Sequence, residues 1–125
     1  PAHEHYNWTR YYALNLHSVF YRGTVEWRCF NSTLHAGKVA AYVNLCLAMS
    51  AQAITQRSAV MRKTRSDNEL YTFRVWLVRL GLNGDEFKNT RDHLLANLEG
   101  DRAWRYEKES YEKNRKKRTS GERER

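Results

Sequence analysis

Two kinds of periodicity divide the chain. From Tyr11 to His17 the order Tyr11-Tyr12-Ala13-Leu14-Asn15-Leu16-His17 alternates in character and is rich in aromatics, which predicts a strand. Thr24 to Phe30 alternates more cleanly. Val25, Trp27 and Cys29 fall on one face, and Thr24, Glu26, Arg28 and Phe30 fall on the other. The connection Ser18 to Gly23 contains Arg22-Gly23, a plausible turn, so the two strands are expected to pair as an antiparallel hairpin. Two strands alone are marginal in water, so helices are expected to cover the face carrying Val25, Trp27 and Cys29.

The remainder reads as helix. Lys38 to Gln56, beginning after Gly37, has no charge beyond Lys38, and Val39, Tyr42, Val43, Cys46, Met49, Ala53 and Ile54 recur at spacings of three and four. A helix apolar nearly all round is expected in the core. After the basic connection Arg57 to Asp67, Ser66 and Glu69 stand three apart ahead of a stripe of Leu70, Phe73, Trp76, Leu77 and Leu80, the pattern of a capping box. Gly81 stops that helix in the usual place. A third helix carries Phe87, Leu94, Leu95 and Leu98 and stops near Gly100. The expected fold is α+β: a short antiparallel hairpin packed against about three helices. Residues 1–104 form the domain. Residues 105–125 form a basic, mobile helix or tail, with Glu109–Lys113 and Glu112–Lys116 as helical ion pairs.

Composition narrows the class. The 125 residues are enough for one domain, and a mean hydropathy of −0.87 suits a soluble protein. The longest uncharged run, Val39 to Gln56, contains Asn44, Ser50, Gln52, Thr55 and Gln56 and is too polar to span a bilayer. No signal peptide is legible at the first residues. Cys29 and Cys46 lack a C-x-x-C spacing and read as reduced, buried thiols of a cytoplasmic protein, with a single bridge between them left open. The formal net charge is +8. From Arg105 onward nine positive residues face five negative ones, so much of the basicity belongs to the tail, where it favours loose contact with nucleic acid or other polyanions.

The second strand carries the candidate chemistry. Glu26 and Arg28 leave the same face, and a hairpin brings Asn15 to it. A carboxylate holds a hard divalent cation, and an adjacent guanidinium forks onto phosphate oxygens. Together they suit a metal-bound nucleotide whose terminal phosphate is transferred. Alternating Glu and Arg is also an ordinary way to solvate an exposed sheet face, so spacing alone does not decide. The histidines give no metal pattern: no two of His3, His5, His17, His35 and His93 stand at i,i+4 on a helix, and neither cysteine sits in a zinc-like pair.

The run Arg10-Tyr11-Tyr12-Ala13-Leu14-Asn15-Leu16, followed by Gly23-Thr24-Val25-Glu26-Trp27-Arg28-Cys29-Phe30-Asn31-Ser32-Thr33-Leu34, resembles the closing strands of amidoligase-like proteins. In that family an R-Y-x-x-L-N-L strand precedes a T-V-E-F-R-x-F-x-x-T-L strand and a long helix follows. The stretch His35-Ala36-Gly37-Lys38-Val39 and the helices after it resemble members found in mobile elements, and the resemblance covers roughly Arg10 to Trp104. It implies an ATP-dependent ligase of the glutamine-synthetase type, in which ATP and magnesium convert a carboxylate to an acyl phosphate that an amine then attacks. It implies Glu26 as a metal ligand, Arg28 as the contact to the transferred phosphate, and Asn15 as a substrate- or nucleotide-side residue. The further glutamates and the histidine of the parent fold precede the matching strands. The resemblance therefore implies the C-terminal part of a ligase, which needs the upstream remainder as partner and neither turns over nor binds nucleotide tightly in isolation. The alternative expectation is a basic helical nucleic-acid-binding or structural interaction module.

Overall fold

The computed structural model describes residues 7–106, 109–113 and 115. A 3-10 turn, Trp8–Tyr11, leads into strand β1, Leu14–Asn15, then a short helix α1, Val19–Arg22, and strand β2, Glu26–Trp27. Three longer helices follow: α2, Ala36–Thr55, α3, Glu69–Arg79, and α4, Lys88–Leu95. The fold is α+β, as the patterning predicts. β1 and β2 pair antiparallel, with Leu14 opposite Trp27 and Asn15 opposite Glu26.

The strands are far shorter than the alternation suggests. Tyr11 belongs to the opening turn, and Asn7 caps it by accepting the Thr9 amide at 3.0 Å. At the other end Asn15 Oδ1 accepts the His17 amide at 2.9 Å. This side-chain-mediated turn takes the backbone out of the strand one residue past Asn15. The expected Ser18 to Gly23 connection is largely α1, closed by Gly23 in the left-handed conformation at φ 65°.

The core lies among the helices. Leu45 of α2, Leu77 of α3, Leu82 and Leu95 of α4 are buried together, with Phe73, Trp76, Phe87 and Leu98 packed around them. Helix α2 packs chiefly on α4, and α4 on α3. Asn44 Nδ2 donates to the buried Thr90 Oγ1 at 2.9 Å, a polar stitch inside the α2–α4 contact. Helix α2 is not enclosed as its composition suggests. Ala41 and Leu45 are buried, but Val39, Val43, Leu47 and Ile54 are exposed, because α4 occupies only one side of the helix.

Helix ends explain two further differences. The cap of α3 is Asn68, whose Oδ1 accepts the Tyr71 amide at 3.0 Å. Ser66 instead accepts the Asn68 amide, so the expected Ser66/Glu69 box is displaced by a stronger cap two residues on. Helix α2 starts before Gly37, with His35 Nδ1 accepting the Lys38 amide at 3.3 Å. A Cβ on Gly37 would stand 2.6 Å from His93 Nε2, so glycine here admits α4 rather than ending a loop. At the far end of α3 the reading holds. Gly81, at φ 91°, donates to Val78 O, and Leu82 donates to Leu77 O, which closes a Schellman motif and turns Leu82 into the core.

Residues 109–113 and 115 are helical, and the Tyr111 ring lies 4.9 Å from that of Trp104. Apart from Arg105 and Tyr106, the rest of the expected basic tail, Lys116 of the expected ion pairs included, lies outside the described residues. Among the described residues no helix is long and apolar enough to cross a membrane.

Leu77 is fully buried and Leu47 is 64% exposed. Leu77→Ala is expected to lower stability by about 2–5 kcal/mol, whereas Leu47→Ala should stay within about 0.5 kcal/mol of the parent. Urea unfolding of the two variants compares them directly.

Candidate functional site

The antiparallel register places the three sequence-predicted residues together. Asn15 Nδ2 donates to Glu26 Oε2 at 2.7 Å across the pair and to Ser18 Oγ at 3.2 Å. Arg28 Nε lies 3.7 Å from Glu26 Oε1. Arg28 Nη1 donates to the Arg10 carbonyl at 2.6 Å, and the Arg28 amide donates to Ala13 O at 2.7 Å. The Arg28 guanidinium also lies over the Tyr11 ring, 5.6 Å from its centroid. The opening turn and both strands thus converge on one carboxylate and one guanidinium.

Their depths differ from a flat sheet face. Asn15 is only 3% exposed, while the Glu26 and Arg28 side chains remain accessible. Asn15 is therefore a support beneath Glu26 rather than a third exposed group beside it. The opposite face also differs from expectation. Trp27 is half-buried, Val25 is 48% exposed and Cys29 is exposed. Strand β2 ends at Trp27, so the alternation that would have turned Cys29 inward has already stopped. The sheet meets the helical core through Phe30, which stacks on Tyr42.

Ribbon and α1 together border an open cleft of about 570 Å³, lined among others by Arg10, Asn15, His17, Arg22, Thr24 and Glu26. His17 is 8% exposed, and its ring meets that of Tyr21 edge-on at 5.0 Å. It is a wall residue that the sequence reading placed in the first strand and weighed only as a metal ligand. Among the described lining residues, the guanidiniums of Arg10 and Arg22 face the one carboxylate of Glu26, a positive balance.

A magnesium site asks for several hard oxygen donors. Among the described residues no group of three or more His, Cys, Asp or Glu could hold a metal ion. Among the described residues Glu26 is the one carboxylate of the cleft lining. The described residues therefore do not suffice for magnesium. His3, Glu4 and His5 lie outside them.

Asn15→Ala should destabilise the chain by about 1–3 kcal/mol, because the Glu26 oxygen and the His17 amide lose a buried partner. Asn15→Asp keeps the shape but sets a second carboxylate against Glu26. Its deficit should be larger at neutral pH than in acid, where one of the two carries a proton. Unfolding curves for the three proteins at both pH values check this.

Comparison with known proteins bears on the same segment. Residues 2–50 match the family model described as "Putative amidoligase enzyme". No curated protein and no solved structure matches. The match begins before Arg10 and ends within α2, so the expected likeness of the later helices, out to Trp104, is not part of it. It takes in the ribbon, the cleft and the first part of α2. Residues 2–50, at the N-terminal end of this chain, are thus similar to that family, and the likeness covers less than half of the chain.

Proposed function

We propose that the β1–β2 ribbon is one wall of the active site of an amide-forming, ATP-dependent carboxylate–amine ligase that works through an acyl phosphate. The observation that carries this reading is the Glu26–Arg28 pair, braced by Asn15 and by the Arg10 carbonyl inside the family-matched segment. Amide formation in water needs an activated carboxylate, and ATP supplies the activation by phosphoryl transfer. A guanidinium forks onto the oxygens of a phosphoryl group and stabilises charge that develops there. Arg28 is the group we assign to this role: Nη1 is committed to the Arg10 carbonyl, Nε faces Glu26, and the side chain is partly exposed. Glu26 orients the fork from the side, and Asn15 fixes Glu26. The positive balance of the cleft attracts an anionic carboxylate or phosphate.

No step is routed through magnesium, since one carboxylate does not make its site. The remaining donors would come from outside the described residues, in the arrangement the family resemblance implies for the upstream part of the ligase. Substrates of this reaction are a carboxylate and an amine, in small-molecule or peptide form.

The 125-residue chain is expected to release no phosphate from ATP in the presence of glutamate, other carboxylates and amines, and turnover would overturn the division of donors. ATP titrated into the ¹⁵N-labelled chain should shift the Arg28 and Glu26 amides, and Arg28→Ala should abolish those shifts. Shifts confined to the basic segments 57–65 and 105–125 would instead support the polyanion-binding alternative and sink the ligase reading.

A further inference from the structure

Phe30 stacks on Tyr42 of α2, with ring centroids 4.4 Å apart and planes 17° from parallel, and it packs against the buried core. That stack brings the preceding residue, Cys29, to the flank of α2. Cys46 stands four residues after Tyr42. It therefore leaves nearly the same face one turn further on, about 6 Å along the helix axis. Cys29 is a free, exposed thiol and Cys46 a free, half-buried one. We infer that Cys29 and Cys46 form a redox modification site, in which a disulfide clamps the outgoing end of β2 to α2.

The surroundings favour this pair. Burial pushes the Cys46 thiol up from its ordinary range, and the neighbouring Cys29 pushes it further, so the two groups feel each other's charge. Residues 28–35 have no regular structure, so no helix or strand ladder has to break for Cys29 to reach the Cα separation of about 4.4–6.8 Å that a disulfide requires. The bond would join the segment adjoining Arg28 to the helical core at a second point beside the Phe30–Tyr42 stack.

The chemistry needs an oxidant, and a low-molecular-weight disulfide supplies it. The Cys29 thiolate, accessible and with no barrier of burial, attacks one sulfur of the reagent. The reagent's S–S bond breaks, one small thiolate leaves, and Cys29 becomes a mixed disulfide. Cys46 then gives its proton to solvent, and its thiolate attacks the Cys29 sulfur. The protein S–S bond forms and the second small thiolate departs and is protonated. Two protein thiols lose two electrons in all, and one reagent disulfide becomes two thiols. Cys29 reacts first because it is exposed, whereas the Cys46 thiol is half-buried and burial raises its pKa from the ordinary range.

Oxidised glutathione, titrated into the dilute 125-residue chain and quenched with acid, tests the site by intact mass and by non-reducing tryptic mapping. The expected product is a monomer lighter by two hydrogens, with peptides 29–38 and 39–57 linked. Cys46→Ser should stop at a stable glutathione adduct on Cys29, and Cys29→Ser should form its adduct more slowly than Cys46→Ser. The ring-closing equilibrium should be more favourable in buffer than in denaturing urea. A wild-type product that stops at the mixed disulfide, a product that is chiefly an intermolecular dimer, or closure no more favourable in buffer than in urea would each overturn the inference.

Discussion

The side-chain amide of Asn15 makes three hydrogen bonds from a position 3% exposed to solvent. Its oxygen takes the His17 amide and ends β1. Its nitrogen reaches Ser18 at the head of α1 and Glu26 on the opposite strand. A two-residue ladder has too few backbone bonds to fix a register by itself, and here a buried side chain supplies the missing constraint. Sliding the strands by one residue would put Asn15 opposite a neighbour of Glu26 and leave a buried amide with its donors unmet, a cost of the order of 1–3 kcal/mol. The same residue that shortens the strand thus specifies how it pairs.

That economy shifts the burden of stability elsewhere. The buried leucines all belong to α2, α3, α4 and the turn between the last two, and the ribbon contributes none of them. It is held to the helices by Phe30 on Tyr42, an aromatic stack worth about 0.5–1.5 kcal/mol beyond its buried area. Ribbon and helical layer therefore differ in local stability. The ribbon should open at a lower cost than the core, as sites that accept ligands commonly do. The family match shares this geography, since it ends inside α2 and leaves α3 and α4 outside.

The helices were legible because their signals are long. The stripe ending at Leu80 and the glycine at 81 carry enough repeats to fix both the type of element and its end. The ribbon was legible in its pairing and not in its extent: alternation over seven residues suggested strands, but two asparagines, at positions 7 and 15, bent the chain away at either side through local side-chain hydrogen bonds. Periodicity does not report such competition between side chain and backbone. Cys29 was misplaced for the same reason, since its predicted face assumed a strand that ends two residues earlier. Gly37 was read as a boundary and turned out to be a contact, because what a glycine admits from a distant helix leaves no mark on the residues beside it. Of the candidate site, Asn15, Glu26 and Arg28 came together as the spacing required. His17, two residues from Asn15 on the strand, was weighed only as a metal ligand and not as a wall of the cleft.

The exposure of the Glu26–Arg28 pair has its own significance. An ion pair at 3.7 Å between accessible side chains adds about 0–1 kcal/mol at most, so folding gains little from it. Yet the pair is held with more care than a solvated surface pair would need: Asn15 grips one carboxylate oxygen from below and the Arg10 carbonyl grips the guanidinium from the side. Such bracing restricts rotamers that a surface pair would keep, and that restriction opposes folding by lost side-chain entropy. Charged groups ordered at such a cost, both still partly exposed and Glu26 on the lining of the cleft, fit the pre-organisation expected of a binding site. Under the proposed function, the positive balance of the described lining favours an anion, and the planar fork of Arg28 suits one with paired oxygens.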